Sequence, residues 1–542
     1  MHLFNTTDTP SWRVAAQKKK DETLSRIPYD WILDASTIKR FQNDILGAPK
    51  VLLSGEEFEI TEFSSAVKLA EGLASGRLKA VTVAKSFMHR AAIATQLTNC
   101  ATEIFFEYGI RRAQELDDYY EQNQKPIGPF HGLPISLKDS FNIKDVDSTL
   151  GYVCKIGNAK LLEQSTLTNM LIDLGAVLYI KSNIPQTLMT ADSENNIFGR
   201  TLNPNNPHLT AGGSSGGEGA MVRQRGSIIG VGTDIAGSVR IPASCCGVYG
   251  YKPTSNRIPY DKQMEPAQPI YMGIEPSAGP LANDYKDLQF FVENIVRACP
   301  WQYDYTAKTI PFVPQSVDRK LTIGFILEDF SLPVHPPVLN NIKRAIDLLK
   351  DAGHKVVQIK KYPNFEDAWK LAIAQYSIEI KGEETGYDWL ARSNEPLINS
   401  LKNANVEAHA TSFETLQEVV PLFRQGACVA KKWHDIFCSQ DLDVILSPVA
   451  PYTAPPHDTY GIAPYTSMWN VVDYPAISIP FGDAAPSDTP YNVPTHLKGF
   501  YAEYEPKAFE GGIGSIQIVA PTDMDEKLLA AGAIIDSILN SK

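Results

Sequence analysis

The segment LTAGGSSGGEGAMVRQRGSIIGVGTDIAGSVRIP, residues 209–242, carries the pattern on which the fold prediction rests. Five glycines and two adjacent serines occupy residues 212–219, and glycine is unfavourable inside helices and strands. The following EGAMVRQR (218–225) suits a helix, and GSIIGVGTD (226–234) is an apolar run typical of a buried strand. The segment therefore predicts a glycine-rich loop, a helix and a strand in succession, as in an α/β protein.

The same alternation of helices and strands continues on both sides of this segment. It predicts an α/β fold: a single large domain with a mixed β-sheet covered by helices on both faces. No Gly/Ser-rich or charged linker and no internal repeat divides the chain. The predicted strands are 133–139, 176–182, 226–234, 321–326, 355–359 and 442–448, and the predicted helices include 64–76, 82–97, 110–120, 167–175, 340–353 and 526–539.

Two regions are expected to stand apart from this alternation. Residues 1–60 are polar with scattered aromatics, which predicts a helical or irregular arm packed outside the main domain at 61–542. The arm offers a surface for a second copy of the chain, so a homodimer is one expectation. Residues from about 310 to 440 are expected to form a helix-rich insertion that shapes the substrate pocket.

Composition and charge narrow the classes of function and location. The 542 residues are 43% hydrophobic and carry a net charge of −12. Such an acidic chain is poorly matched to nucleic acid or an anionic membrane surface, which favours a small uncharged or cationic substrate. The N-terminus has no signal-type apolar core, and no apolar run approaches the roughly 20 residues that a membrane span needs. These features predict a soluble cytoplasmic protein.

The seven cysteines lack the spacing of a metal site. The pair Cys245–Cys246 is followed by no second pair, so a zinc site is disfavoured. We expect buried, reduced thiols and no metal.

Four interpretations of the glycine-rich residues 212–219 are open from composition alone. A flexible linker is disfavoured because patterned apolar sequence continues closely on both sides. A phosphate-binding loop lacks both the preceding strand and a lysine after the glycines. An α/β-hydrolase nucleophile turn matches G-x-S-x-G at 212–216, with Asp443 and His457 downstream, but prolines and asparagines occupy the place of its strand. The fourth interpretation is a serine pair activated by a lysine.

Lys138 is the candidate base for such a serine pair. Serine becomes a nucleophile only with a base, and burial in the apolar LPISLKD (133–139) would lower the pKa of a lysine toward neutrality. The alternative is that Lys138 ends the strand and pairs with Asp139 or another surface acid.

A second candidate serine follows the strand at 226–234. Small residues lead into Ser238, with Arg240 close behind. Small residues before a serine let backbone N–H groups converge on one point, as an oxyanion hole requires. The alternative is an incidental serine at a junction between strand and helix.

Five segments together resemble the amidase signature family and, within it, the fungal acetamidase-type general amidases. The combination is specific: a lysine upstream, a Gly-Ser-rich signature, and a GTD-x-x-GS segment downstream. The resemblance covers most of residues 80–480 and implies the amidase signature fold for the main domain. The segments are GPFHGLPISLKDSFNI (128–143), NIFGRTLNPNNPHLTAGGSSGGEGAM (196–221), GTDIAGSVRIPASCCGVYGYKPT (232–254), GPLANDYKDL (279–288) and SPVAPYTAPPH (447–457).

The resemblance implies a Ser–cis-Ser–Lys triad. Lys138 matches the basic lysine, Ser214 the bridging serine preceded by a cis peptide bond, and Ser238 the acylated nucleophile. Ser238 lies 24 residues after Ser214 and 100 after Lys138, as in the family pattern. The implied activity is hydrolysis of a small-molecule carboxylic acid amide to a carboxylate and ammonia or an amine, through an acyl-enzyme and without metal or organic cofactor.

The resemblance also implies roles for residues around the triad. Backbone N–H groups before the nucleophile would bind the oxyanion, residues 186–189 would line the acyl pocket, and four side chains would brace the site. Ala236 departs from the glycine that many family members have at its position. The implied substrate-binding residues are Ser214, Ile235, Ala236, Gly237, Ser238, Leu188 and Met189, and the bracing residues are Ser215, Thr233, Asp234 and Arg240.

Two alternative functions remain for a chain with this resemblance. One is an amidotransferase subunit that supplies ammonia to a partner enzyme. Those subunits tend to have SSGGSAA where this chain has SSGGEGA, so Glu218 favours a stand-alone hydrolase. The other is a non-catalytic binding protein, which the presence of all three triad residues disfavours. The lack of a hydrophobic N-terminal segment disfavours a membrane-bound fatty-amide hydrolase.

Overall fold

The computed structural model describes residues 11–541 with the exception of 266–272, 379–383, 405–412, 414, 488 and 490. The described part contains eighteen α-helices and thirteen β-strands. The helices are α1 (Ser11–Ser25), α2 (Ala35–Phe41), α3 (Ala48–Leu52), α4 (Gly55–Thr61), α5 (Ala66–Ala74), α6 (Ala80–Thr98), α7 (Phe106–Asn123), α8 (Thr166–Asp173), α9 (Gly216–Arg223), α10 (Arg240–Cys246), α11 (Tyr285–Arg297), α12 (Pro336–Asp351), α13 (Phe365–Tyr376), α14 (Gly386–Ser393), α15 (Asn399–Ala404), α16 (Leu416–Gln440), α17 (Pro464–Val471) and α18 (Asp525–Leu539). The strands are β1 (Ala101–Ile104), β2 (Pro134–Lys138), β3 (Val177–Ser182), β4 (Glu194–Asn195), β5 (Gly199–Arg200), β6 (Ile229–Asp234), β7 (Tyr249–Lys252), β8 (Ser277–Ala282), β9 (Thr322–Phe325), β10 (Lys355–Gln358), β11 (Val444–Ser447), β12 (Ala476–Asp483) and β13 (Ile513–Val519).

Eleven of these strands form one mixed sheet in the order β1-β3-β2-β6-β8-β7-β12-β13-β11-β9-β10. The pairs β2–β3, β2–β6, β9–β10 and β9–β11 are parallel, and the other neighbours in the sheet are antiparallel. Every residue of β2, β3, β6 and β8 is buried. Since successive strand residues point to opposite faces, both faces of the sheet are covered. The predicted α/β fold, a single large domain with a mixed β-sheet covered by helices on both faces, is confirmed.

The expected helix-rich insertion at about 310–440 begins later than predicted. β9 and β10 are strands of the main sheet, because β9 pairs in parallel with both β10 and β11. The helix-rich part is α13 to α16, and α13 packs against α17 of the main domain. The helix-rich insertion therefore begins at Phe365 and not at about 310, because the strands predicted at 321–326 and 355–359 pair within the main sheet.

The N-terminal arm contains α1 to α4 in its described part. Trp31 stacks on His89 of α6 with ring centroids 4.7 Å apart, and Glu57 of α4 lies 3.0 Å from the same imidazole. Lys19 of α1 is buried within 2.9 Å of the carboxylates of Glu103 and Asp147. These contacts join the arm to its own chain, and the homodimer and the cytoplasmic location stay predictions.

All seven cysteines are free. Cys100, Cys245 and Cys246 are buried, but Cys428 and Cys438 on α16 are exposed. The expectation of buried thiols is wrong for these two, because α16 presents much of its surface to solvent, and Cys154 and Cys299 are only half-buried. Separately, no helix in the described ranges combines the length and apolar character needed to cross a membrane.

The topology brings the predicted site residues to one edge of the sheet, meaning the edge formed by the carboxyl ends of the interior strands β2 and β6. β2 and β6 are parallel neighbours, so their carboxyl ends, at Lys138 and Asp234, lie side by side. The loop before α9 and the turn before α10 arrive at this same edge, where ligands commonly bind in α/β sheets.

Candidate active site

Lys138 lies in the interior at the end of β2, with no exposed surface. Its Nζ donates to Ser214 Oγ and to Thr233 Oγ1, each at 2.7 Å. The alternative that Lys138 pairs with Asp139 at the surface is wrong. Asp139 is itself buried, and its carboxylate accepts from Thr102 Oγ1 (2.8 Å) and lies 3.7 Å from the ammonium of Lys181.

Burial sets the proton affinity of Lys138. Desolvation lowers the pKa of Lys138 to about 7, against the opposing effect of the carboxylates of Asp234, Glu218 and Asp139. A substantial fraction of the side chain is thus the neutral amine near pH 7, and a neutral amine can accept a proton from a hydroxyl.

Ser214 lies in a rigid turn before α9. The peptide bond between Gly213 and Ser214 is cis, as the resemblance implied. A Cβ on Gly213 would lie only 2.6 Å from the carbonyl oxygen of Thr190, so only glycine fits against that backbone. Ser193 Oγ closes the turn from the other side, donating to Gly212 O (2.9 Å) and accepting from the N–H of Gly216 (3.0 Å).

The backbone of Ser238 is hydrogen-bonded to the turn that contains Ser214 and Ser215. The N–H of Ser215 donates to the carbonyl oxygen of Ser238 at 3.2 Å. Exposure rises along the set, from 0% at Lys138 to 3% at Ser214 and 9% at Ser238. Ser238 is therefore the member nearest to solvent, where a substrate would arrive.

Asp234 fixes the turn that leads to Ser238. Its carboxylate forms a two-pronged pair with Arg240, both bonds 3.0 Å long, and accepts from the N–H groups of Gly237 (2.7 Å) and Val239 (3.2 Å). Asn470 Nδ2 donates to it as well, at 3.0 Å. Burial alone would raise the pKa of Asp234, but Arg240 outweighs that effect and the pKa falls to about 2. Asp234 is ionised throughout the ordinary pH range.

The backbone N–H groups of this turn differ in their availability. The N–H of Gly237 donates to Asp234, which departs from the expectation that it would bind an oxyanion. Within the ranges that the structure describes, the N–H groups of Ile235, Ala236 and Ser238 have no partner. Gly237 has φ +124°, whereas Ala236 is not among the residues with positive φ, so the alanine fits its place.

Two further residues, which sequence reasoning missed, orient this turn. Tyr376 of α13 donates its O–H to the carbonyl of Ile235, and Thr466 Oγ1 of α17 donates to the carbonyl of Ala236 at 2.6 Å. In a trans peptide the N–H points opposite to the C=O, so the Ala236 N–H points away from Tyr376. No local motif marks either residue, because both contacts join distant parts of the chain.

The other two predicted bracing residues, Ser215 and Thr233, contact each other beside the turn that leads to Ser238. Ser215 Oγ lies 3.4 Å from both the N and the O of Thr233, which ties the start of α9 to β6. Thr233 in turn holds Lys138 through its hydroxyl. The structure therefore brings Lys138, Ser214, Ser215, Thr233, Asp234, Ser238 and Arg240 together.

Residues 186–189 lie against the helix-rich part. Thr187 and Leu188 have positive φ values of 69° and 63°, and Leu188 packs on a cluster that includes Tyr152 and Trp389. Gln186 Nε2 donates to Glu395 at 3.0 Å. Leu188 and Met189 are half-buried, and their role in an acyl pocket stays a prediction.

The competing interpretations of residues 212–219 are not supported by the structure. The whole segment is buried, unlike a flexible linker. Asp443 is bound by Arg319 (2.6 Å) and Lys527 (3.0 Å), and His457 Nε2 lies 2.9 Å from the carbonyl of Pro207. Neither side chain contacts Ser214, so no hydrolase triad of the α/β type forms.

The sequence and the fold of this chain are similar to those of known amidases. The sequence profile of the family described as Amidase matches residues 82–529. An amidase of Gibberella moniliformis is 35% identical over 98% of this chain and 99% of its own length, and an acetamidase of Aspergillus oryzae is 33% identical over the same shares. A solved structure of a fatty acid amide hydrolase superposes with a TM-score of 0.90 at 33% identity, over 98% of this chain and 95% of that one.

More distant structures share the fold alone. A bacterial aryl acylamidase of the amidase signature family has a TM-score of 0.68 at 20% identity and covers 88% of this chain. With a family profile and near full-length relatives in agreement, the chain belongs to the amidase family and is an amide hydrolase.

Proposed function

We propose that this amidase cleaves carboxylic acid amides with Ser238 as nucleophile, Ser214 as proton bridge and Lys138 as base. The observation that carries the proposal is the 2.7 Å bond between Lys138 Nζ and Ser214 Oγ in a buried site. The hydrogen bond from the Ser215 N–H to the carbonyl oxygen of Ser238, which joins the backbone of Ser238 to the same turn, also supports the proposal.

Acylation begins with a proton relay. Neutral Lys138 takes the proton of Ser214, Ser214 takes that of Ser238, and Ser238 Oγ bonds to the amide carbonyl carbon. The carbonyl oxygen becomes an oxyanion, for which the N–H groups of Ile235, Ala236 and Ser238 are available donors. Loss of one such donor typically costs about 2.7–4 kcal/mol of transition-state stabilisation.

The relay then runs in reverse. The ammonium of Lys138 returns its proton through Ser214 to the departing nitrogen as the C–N bond breaks, and ammonia or an amine leaves. Water attacks the carbonyl carbon of the ester on Ser238 and gives up a proton to the same relay. The bond between that carbon and Ser238 Oγ then breaks, the relay returns the proton to Ser238 Oγ, and the carboxylic acid product leaves and ionises to the carboxylate. These steps need no metal or organic cofactor.

The substrates proposed are small-molecule amides. Relatives named acetamidase and fatty acid amide hydrolase differ greatly in the acyl group that their names state. We expect a graded series of amides, from acetamide through aromatic to long-chain ones, to reveal the acyl preference of this chain.

The test is ammonia release by Ser238→Ala across that series. Ser244→Ala is the matched control, because Ser244 is a buried serine of α10 whose hydroxyl bonds only to Ser515 among the described residues. The first variant should lose turnover and the second should keep it. Normal hydrolysis by Ser238→Ala would refute the proposed mechanism.

A further inference from the structure

Glu218, the third residue of α9, is a buried carboxylic acid that the relay described above does not use. It has no exposed surface, and its Oε2 accepts a hydrogen bond of 2.5 Å from Ser136 Oγ. A side chain at Gly230 would collide with this carboxylate, so β6 leaves the space that Glu218 fills. The fold thus accommodates a buried acid at a specific point of the sheet.

The Glu218 carboxylate and the Lys138 side chain lie on the same face of the sheet. Ser136 and Lys138 are alternate residues of β2, and alternate residues of a strand point to the same face. Glu218 bonds to Ser136, so its carboxylate is on the same face as the lysine. The two charges interact: Glu218 raises the pKa of Lys138, and Lys138 lowers the pKa of Glu218.

Glu218 differs from the other two acids near Lys138 in its partners. Asp234 pairs with Arg240 at 3.0 Å, and Asp139 lies 3.7 Å from Lys181. Glu218 forms no ion pair with any cation in the described chain. Burial raises the pKa of Glu218, so its carboxylate is charged only in part near pH 7. That charge is not offset by a separate cation and acts on Lys138.

We propose that Glu218 is a positioning residue of the active site, whose carboxylate stabilises the ammonium that Lys138 becomes during the proton relay. The inference rests on the proposed function. An ammonium formed on the fully buried Lys138 has lost its hydration, and a nearby carboxylate offsets that cost. Glu218 accordingly acts on the reaction through Lys138 and not by touching substrate.

Among the described residues, few other titratable groups surround Lys138 and Glu218. Lys138 is faced by Asp139 from the turn after β2, Asp234 from β6 and Glu218 from α9. The other titratable groups facing Glu218 are Cys100 and Tyr179, and both stay neutral because burial raises their pKa, that of Cys100 to about 11. Burial also raises the pKa of Glu218 to about 7, although the hydrogen bond from Ser136 acts to lower it.

The test is the pH profile of kcat/KM for Glu218→Gln, which keeps the shape and the bond from Ser136 but cannot ionise. Removing a negative neighbour lowers the pKa of Lys138, so the acid limb should move to lower pH by about one unit. The lysine becomes a weaker base, so the plateau should fall about tenfold. A merely structural role would lower the plateau without moving the limb.

Asp287→Asn is the matched control, because Asp287 is also buried and burial raises the pKa of Asp287 to about 7, yet it caps α5 through Val67 N–H. Its acid limb should stay in place. Ser136→Ala gives a second test should Glu218→Gln not fold: the carboxylate loses its donor, so the limb should move the same way by less. A limb that coincides with that of the unaltered enzyme in the folded variants would overturn the role of Glu218. Turnover that survives Ser238→Ala would instead overturn the proposed function.

Discussion

Lys138 Nζ lies 2.7 Å from Ser214 Oγ although 76 residues separate the two along the chain. β2 carries the lysine and the turn before α9 carries the serine to the same edge of the sheet. A second bond, to Thr233 Oγ1 of β6, holds the lysine between neighbouring strands. Since Lys138 is fully buried and Ser214 only 3% exposed, water does not compete for this contact.

The burial of Lys138 predicts a specific pH dependence. Burial lowers the pKa of Lys138 to about 7, and only the neutral amine accepts a proton. We therefore expect kcat/KM to rise with pH through about 7 and to level off above it. Lys138→Arg should abolish turnover at every pH, because guanidinium keeps its proton. A profile that falls between pH 6 and 8 would contradict a basic role for Lys138.

The contact of Gly213 with the backbone at Thr190 predicts a severe effect of a single methyl group. A Cβ at residue 213 would lie 2.6 Å from the Thr190 carbonyl oxygen, so Gly213→Ala should displace Ser214 from Lys138. We expect hydrolysis to fall by about 100-fold or more, as for other misplaced catalytic groups. Gly55→Ala is the control, since nothing lies within 4 Å of its Cβ position, and its activity should be unchanged.

Part of the sheet could be predicted from the sequence, and the rest could not for a physical reason. β2, β3, β6, β9, β10 and β11 are apolar runs, and each was predicted. β8 (SAGPLA) and β12 (AISIPFGD) contain proline, which ordinarily argues against a strand inside a sheet. They are strands here because β13 pairs with β12 and β6 pairs with β8 in the same sheet. The periodicity of a segment's own sequence does not record which strand it will pair with.

Some residues of the candidate site could likewise be predicted from the sequence, and others could not. The triad candidates and Asp234 lie in sequence motifs that the resemblance covers, Lys138 in an apolar strand and the serines in glycine-rich segments. Tyr376, Thr466 and Asn470 contact the turn at 235–237 or Asp234 from 141, 230 and 236 residues further along the chain. Such side chains occur in ordinary helical sequence, and only the packing of α13 and α17 against the turn gives them a role.

The buried pair of Asp234 and Arg240 predicts a large loss of stability when one partner is neutralised. Asp234→Asn leaves the Arg240 guanidinium without its counter-charge in the interior, where neither side chain is exposed. Breaking such a pair typically costs about 3–5 kcal/mol in free energy of unfolding, which urea denaturation would measure. Glu121→Gln removes the exposed pair with Lys79 and should leave stability unchanged. Equal stability of the two variants would refute the structural role of Asp234.

Tyr376 predicts a link between the helix-rich part and the rate of the chemical step. Its O–H donates to the carbonyl of Ile235, in the peptide whose N–H belongs to Ala236. Tyr376→Phe removes that bond and frees the peptide to rotate, so an oxyanion donor loses its alignment. We expect kcat to fall about tenfold, as loss of one hydrogen bond of about 1.4 kcal/mol would give, with KM nearly unchanged.

Steady-state kinetics on one amide measures both parameters for Tyr376→Phe. Tyr305→Phe serves as the control, because Tyr305 is 90% exposed and its kinetics should not change. A raised KM with kcat intact would mean that Tyr376 contacts the substrate directly. In that case the oxyanion turn keeps its alignment without α13, and Thr466 and Asp234 are sufficient to hold it.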